Sequence, residues 1–135
     1  MLDENAVVDA VCTHLKSLGY GILERTTNDR GIDIVAKHPS NPGKLMVEAK
    51  GGKSSKPGSP RYGQDYSKAE VFDRVAKGFY TAVNIYASRN AGDQAALAYP
   101  DTHWFREYLL PVKPVLTELG ITVYMVDQNR SVSLL

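Results

Sequence analysis

Three charged residues sit at spacings that could support chemistry: Asp33 in Gly31-Ile-Asp-Ile-Val-Ala-Lys37, and Glu48 and Lys50 in Leu45-Met-Val-Glu-Ala-Lys-Gly51. If both segments are strands, side chains alternate between faces, so Ile32 and Ile34 share one face with Asp33 on the other. Likewise Val47 and Ala49 share a face, leaving Glu48 and Lys50 opposite them. Two carboxylates brought together on neighbouring strands repel by roughly 0.2–1 kcal/mol unless something neutralises them. A divalent cation would do so, and hard oxygen donors suit Mg²⁺ or Mn²⁺. An ammonium beside them would steady a developing hydroxide or the charge on a phosphate in flight.

The element that must bring them together is a hairpin. His38-Pro-Ser-Asn-Pro-Gly-Lys44 carries the turn residues that join two antiparallel strands, and folding about Asn41 sets Asp33 opposite Glu48 or Ala49. Opposed residues project to the same side of a sheet, so Asp33, Glu48 and Lys50 form one cluster. A solvated cross-strand ion ladder is the bland alternative. Against it stand the wholly apolar opposite faces, Gly31 before the first strand, and Gly51-Gly52 after the second, where the backbone is free to approach a neighbour closely.

The pattern Gly-Ile-Asp-Ile…Val-Glu-Ala-Lys-Gly resembles the core of the PD-(D/E)XK nuclease superfamily, the restriction-endonuclease-like fold shared with Holliday junction resolvases. Ile32 stands where that family often has proline. The resemblance implies a metal-dependent phosphodiester hydrolase acting on DNA, with Asp33 and Glu48 as metal ligands, the Ala49 carbonyl as a further ligand, and Lys50 as the catalytic lysine. It also implies a part for Glu4, since a first-helix glutamate often joins the metal site in such nucleases.

Composition bounds the rest. The 135 residues, 43% hydrophobic and 23% charged, are enough for a core of their own, and we read residues 1–135 as a single domain. Net charge is +1, so a nucleic-acid partner requires a local basic surface. One cysteine, Cys12, excludes an internal disulfide framework and a cysteine-built zinc site, and suits a reducing cytoplasm. No apolar run reaches membrane length, so no membrane partner is expected, while a homodimer is compatible with the sequence.

Along the chain, residues 4–18 have helical periodicity, with Val7, Val8, Val11, Cys12, Leu15 and Leu18 in one arc, Glu4 at its centre, and Gly19 as the stop. Residues 20–26 read as a strand, followed by a turn over residues 28–31. Gly19-x-Gly21 lacks the third glycine and following helix of a dinucleotide loop, and Gly52-Lys53-Ser54 lacks the first glycine and the helix of a P-loop. Between Gly51 and Gly63 lies a loop with Lys53, Lys56 and Arg61 and no acid, followed by Tyr62 and Tyr66. Beside a phosphodiester site this set suits a nucleic-acid-guiding loop, with cations for the backbone and rings for an unpaired base.

The next helix, from Asp65 to about Tyr86, shows a stripe of Phe72, Val75, Ala76, Phe79 and Val83. Lys68 extends that stripe toward the loop, as a rim lysine within reach of the site, while Glu70 and Arg74 lie off it and face solvent or a partner. Strands are expected at 94–99, 121–126 and 131–135, with a helix over 103–119 that Pro111 and Pro114 bend or divide. The order predicts an α/β three-layer sandwich around a mixed central sheet, with the crossover helix returning the chain parallel to the Glu48 strand. This matches the α-β-β-β-α-β core of the resembled fold, plus a C-terminal α-β-β. Two rivals compete with the enzyme: a non-catalytic DNA-binding or partner-docking domain of the same fold, and a purely structural domain with a surface ion-pair ladder.

Overall fold

The computed structural model describes residues 1–28 and 31–135. Asp29 and Arg30, in the turn expected over 28–31, lie outside the described residues. Among the described residues the elements follow the expected order: α1 (Glu4–Ser17), β1 (Gly21–Arg25), β2 (Ile34–Lys37), β3 (Lys44–Ala49), α2 (Lys68–Ser88), β4 (Gln94–Pro100), α3 (His103–Leu109), a 3-10 turn (Leu110–Val112), α4 (Lys113–Glu118), β5 (Thr122–Val126) and β6 (Val132–Leu134). Pro111 and Pro114 divide the expected 103–119 helix, since proline supplies no N–H to the helical ladder.

The six strands lie in sequence order. β3 pairs parallel with β4 and β4 with β5, while the remaining pairs are antiparallel, so the sheet is mixed. The return from β3 to β4 through α2 is the expected parallel crossover.

Helices cover both faces, which makes the three layers of an α/β sandwich. On one face α1 packs Val7, Val8, Val11 and Leu15 against Ile34, Val47, Ala49, Ala96 and Ala98. The Asp3 side chain starts that helix by accepting from the Ala6 N–H at 2.9 Å. Gly19 closes it with φ +95°, while Leu18, expected in the buried arc, is exposed at the C-terminal cap. On the other face α2 and α3 pack Val71, Val75, Ala82, Phe105 and Leu109 against Leu97, Tyr99 and Met125.

Two expectations need correction. Ile32 does not share a face with Ile34: it lies ahead of β2 and packs with the second core, outside the regular alternation of the strand. The buried face of α2 is Val71, Val75, Gly78, Ala82 and Ile85, not the Phe72–Val83 stripe, and Phe72 is 52% exposed. The cause is Tyr99 beneath the helix. Its hydroxyl donates to the Val75 carbonyl at 3.0 Å, and a Cβ on Gly78 would collide with it, so only glycine fits there without a shift. Small residues thus turn toward the sheet, and Phe72 packs edge-on against Tyr108 of α3, with ring centroids 5.3 Å apart.

Candidate active site

The hairpin register pairs Ile34 with Val47, and one step further along the strands Asp33 faces Glu48. Asp33 sits just before β2, where its carbonyl accepts from the Thr26 N–H at 2.9 Å. Its Oδ2 accepts from the Ala49 N–H at 2.7 Å, which locks the carboxylate against β3. Lys50 leaves the end of β3 with its N–H donating to the Ala98 carbonyl at 3.0 Å, and its Nζ forms an ion pair with Glu48 Oε1 at 2.8 Å.

Asp33 and Glu48 are only 4% and 7% exposed, and they are the buried charged residues among those described. That degree of burial rules out a solvated surface ladder, whose charges would stay in water.

Glu4 arrives from the first turn of α1, in the opposite layer. The Gly52 N–H donates to the Leu2 carbonyl at 2.8 Å, and a Cβ on Gly51 would collide with the backbone of Asp3 and Glu4. Glycine there allows the close approach that brings the start of α1 beside Lys50. Glu4, Asp33, Glu48, Lys50 and Thr81 of α2 line one cavity of about 190 Å³, together with Thr27, Asn28 and Gly31. Ala49 is fully buried and is not among the described residues lining it.

Among the described residues that line the cavity, three carboxyl groups stand against one cation, Lys50. Burial first, and then the charges of Glu48 and Glu4, push the Asp33 carboxyl up to about 8 against the opposing pull of the Ala49 N–H and Lys50. Among the described residues no three His, Cys, Asp or Glu side chains converge closely enough to hold a metal ion by themselves. Two buried carboxylates with a third at the cavity wall still fit Mg²⁺ or Mn²⁺, because Mg²⁺ is commonly bound by one or two carboxylates, with substrate phosphate and water completing its shell.

A pH dependence follows. The folded protein keeps the Asp33 proton where the unfolded chain, with its carboxyl near 3.8, has lost it. The stability this group contributes is therefore full below pH about 4 and is lost as pH rises toward about 8. Thermal unfolding in chelator should show the melting temperature falling across that window, and Asp33→Asn should flatten the fall. An equally steep fall in the variant would assign the proton elsewhere.

A second, larger groove of about 590 Å³ adjoins the cavity, with Glu4 and Lys50 lining both. Lys53, Lys56 and Arg61 line it, with Tyr66 on its wall. The loop that carries them is a tied arm, held by Tyr66 N–H to the Gly52 carbonyl at 2.8 Å and Gly63 N–H to the Ser54 carbonyl at 2.9 Å. Tyr62 is 59% exposed and does not line the groove. Lys68 is on the other flank of α2, ion-paired with Glu107 of α3 at 2.7 Å and away from both cavities. On α2, sequence reasoning missed three residues of these walls: Glu70 and Arg74 in the groove and Thr81 in the acidic cavity. Their spacing of four and then seven residues along α2 is a helical stripe, a signal present in the sequence.

No family model matches the chain, and no curated protein matches it in sequence. Among solved structures it is similar to an XisH family protein from Nostoc punctiforme PCC 73102, with TM-score 0.59 and 16% identity over 96% of this chain and 98% of that one. It is also similar to an fdxN element excision controlling factor protein from Anabaena variabilis, with TM-score 0.58 and 18% identity over 96% of each chain. SfsA from Pyrococcus furiosus, in complex with Ca²⁺, is a weaker likeness at TM-score 0.41 and 12% identity, over 97% of this chain and 58% of that one. At these identities the likeness is one of fold: the α/β sandwich described here is shared with the Nostoc and Anabaena proteins across nearly their whole length.

Proposed function

We propose that this protein is a metal-dependent nuclease of the PD-(D/E)XK kind that hydrolyses a phosphodiester bond in DNA. The observation that carries this is the buried, opposed pair Asp33 and Glu48 with Lys50 ion-paired to Glu48, at a cavity that opens beside a cation-lined groove. The chemistry that a bound Mg²⁺ or Mn²⁺ supplies is Lewis acidity at the phosphate and a lowered pKa for water. Asp33 and Glu48 would hold the ion, Glu4 would add negative charge from the wall, and Ala49, whose carbonyl was the expected further ligand but which does not line the cavity, would act through its N–H by orienting Asp33. Lys50 would orient the attacking water and stabilise charge on the phosphate as it develops.

A domain that only bound DNA would gain nothing from burying two carboxylates that face a polyanion, so the acid pair favours the enzyme over the binding module. DNA as the substrate is supported by the adjoining groove. It is also supported by fold likeness to a protein named for control of fdxN element excision.

Calorimetric titration with Mn²⁺ tests the metal. Binding that disappears in Asp33→Asn is expected, and a wild-type protein that binds no Mn²⁺ would remove the proposed ligands.

The loop cations should act on binding and not on chemistry. Replacing Lys53, Lys56 and Arg61 together with alanine should make the salt dependence of duplex affinity shallower, by about 0.9 in log–log slope for each phosphate no longer neutralised. A slope equal to wild type would return the arm to a purely solvated role.

A further inference from the structure

Arg74 is a groove residue that the fold leaves without a charged partner among the described residues. It stands four residues after Glu70 on α2, an arrangement that ordinarily gives an ion pair along a helix. Here Glu70 is engaged elsewhere: its Oε1 accepts from the Ser67 N–H at 3.0 Å as half of a capping box, and the same oxygen is ion-paired with Arg61 from the arm. Those two partners, the Ser67 N–H first, hold the Glu70 carboxyl below its ordinary range, so it stays ionised and occupied. Arg74 keeps a buried Nε with no hydrogen-bond partner among the described residues, and its guanidinium lies over the Tyr66 ring, 4.9 Å from the centroid. That Nε is closed to solvent, so an anion in the groove that Arg74 lines would meet the guanidinium at its other nitrogens.

From this geometry we propose that Arg74 is a phosphate anchor for the substrate strand. Stacking on Tyr66 fixes the guanidinium plane in advance, which suits bidentate recognition of a phosphate, while Lys53 and Lys56 on the same groove supply unoriented positive charge. Lys50, shared by the groove and the acidic cavity, connects the anchored stretch of backbone to the reacting phosphate. The inference takes its ligand from the nucleic-acid assignment of the groove and does not depend on cleavage.

The test is a salt series of DNA affinity in chelator, read by fluorescence anisotropy of a short labelled duplex, with wild type, Arg74→Gln and Arg74→Lys. Arg74→Gln should weaken binding about tenfold at low salt and reduce the log–log slope by about 0.9. Arg74→Lys should restore the slope but only part of the affinity, because the charge returns without the planar fork. An Arg74→Gln protein with wild-type slope and unchanged thermal unfolding would overturn the anchor, as would one that loses affinity equally at every salt concentration. The two assignments fail separately. Wild type that cleaves DNA while Arg74→Gln leaves the slope unchanged rejects the anchor alone, whereas an Arg74-dependent slope in a wild type that never cleaves rejects the nuclease alone.

Discussion

Asp33→Asn or Glu48→Gln should abolish metal-dependent cleavage of DNA while leaving the protein folded. A Lewis-acid metal is worth several kcal/mol at the transition state, so losing a ligand to it corresponds to about 10³-fold or more in rate. Asparagine keeps an oxygen to accept the Ala49 N–H that Asp33 holds at 2.7 Å, so the hairpin end survives the change. The metal-free variant should be more stable than wild type near pH 8, because burial and the charges of Glu48 and Glu4 disfavour the ionised Asp33. Cleavage under saturating Mg²⁺ and thermal unfolding in chelator measure the two halves. Either variant cutting at the wild-type rate would sink the assignment of the acids.

Lys50→Met separates an enzyme from a binder. Methionine keeps most of the length and the apolar stem of the side chain but removes the ammonium that pairs with Glu48 at 2.8 Å. The variant should fold, bind Mn²⁺ through Asp33 and Glu48, and bind DNA with nearly wild-type affinity. Its cleavage rate should fall by about 10²–10³-fold, the scale associated with loss of one preorganised electrostatic donor. An interaction made in the transition state lowers the rate when it is removed while ground-state binding survives, so single-turnover rates and affinities read side by side give the answer. A variant that changes affinity without changing the rate would place Lys50 among the binding cations.

The acidic cluster was readable from local pattern because the strands alternate and the turn between them fixes their register, so Asp33, Glu48 and Lys50 had one face to share. The capping glycine of α1 and the proline division of the last helix were readable for a similar reason, as each depends on backbone constraints local to the residue. The rotation of α2 was not. Its sequence offers two overlapping apolar stripes, and the aromatic one, Phe72 with Phe79, carries more hydrophobic surface.

Tyr99, twenty-seven residues from Phe72, decides between them by filling the space beneath Gly78. Choosing the smaller stripe turns the helix by about one residue, roughly 100°. That single rotation accounts for two site discrepancies together. It swings Lys68 away to Glu107 on α3 and brings Glu70 and Arg74, expected to face solvent or a partner, and with them Thr81, to the walls of the groove and cavity. A tertiary packing constraint overrode helical periodicity, and no window of local sequence contains it.

Glu4 was readable only as an acid within the apolar arc of α1. Its arrival at the site depends on Gly51 passing against the backbone of Asp3 and Glu4, a contact across nearly fifty residues. Gly51 therefore belongs to the site as the residue that allows two layers of the sandwich to meet there.

The most direct measurement is incubation of the purified protein with supercoiled, linear and branched DNA, in Mg²⁺ or Mn²⁺ and in chelator, beside the Asp33→Asn variant. Strand breaks on at least one DNA form, dependent on the metal and absent with the variant, are the expected result. Intact DNA in every form with either metal, or breakage that persists in chelator or in Asp33→Asn, would contradict the assignment of this cavity as a nuclease site.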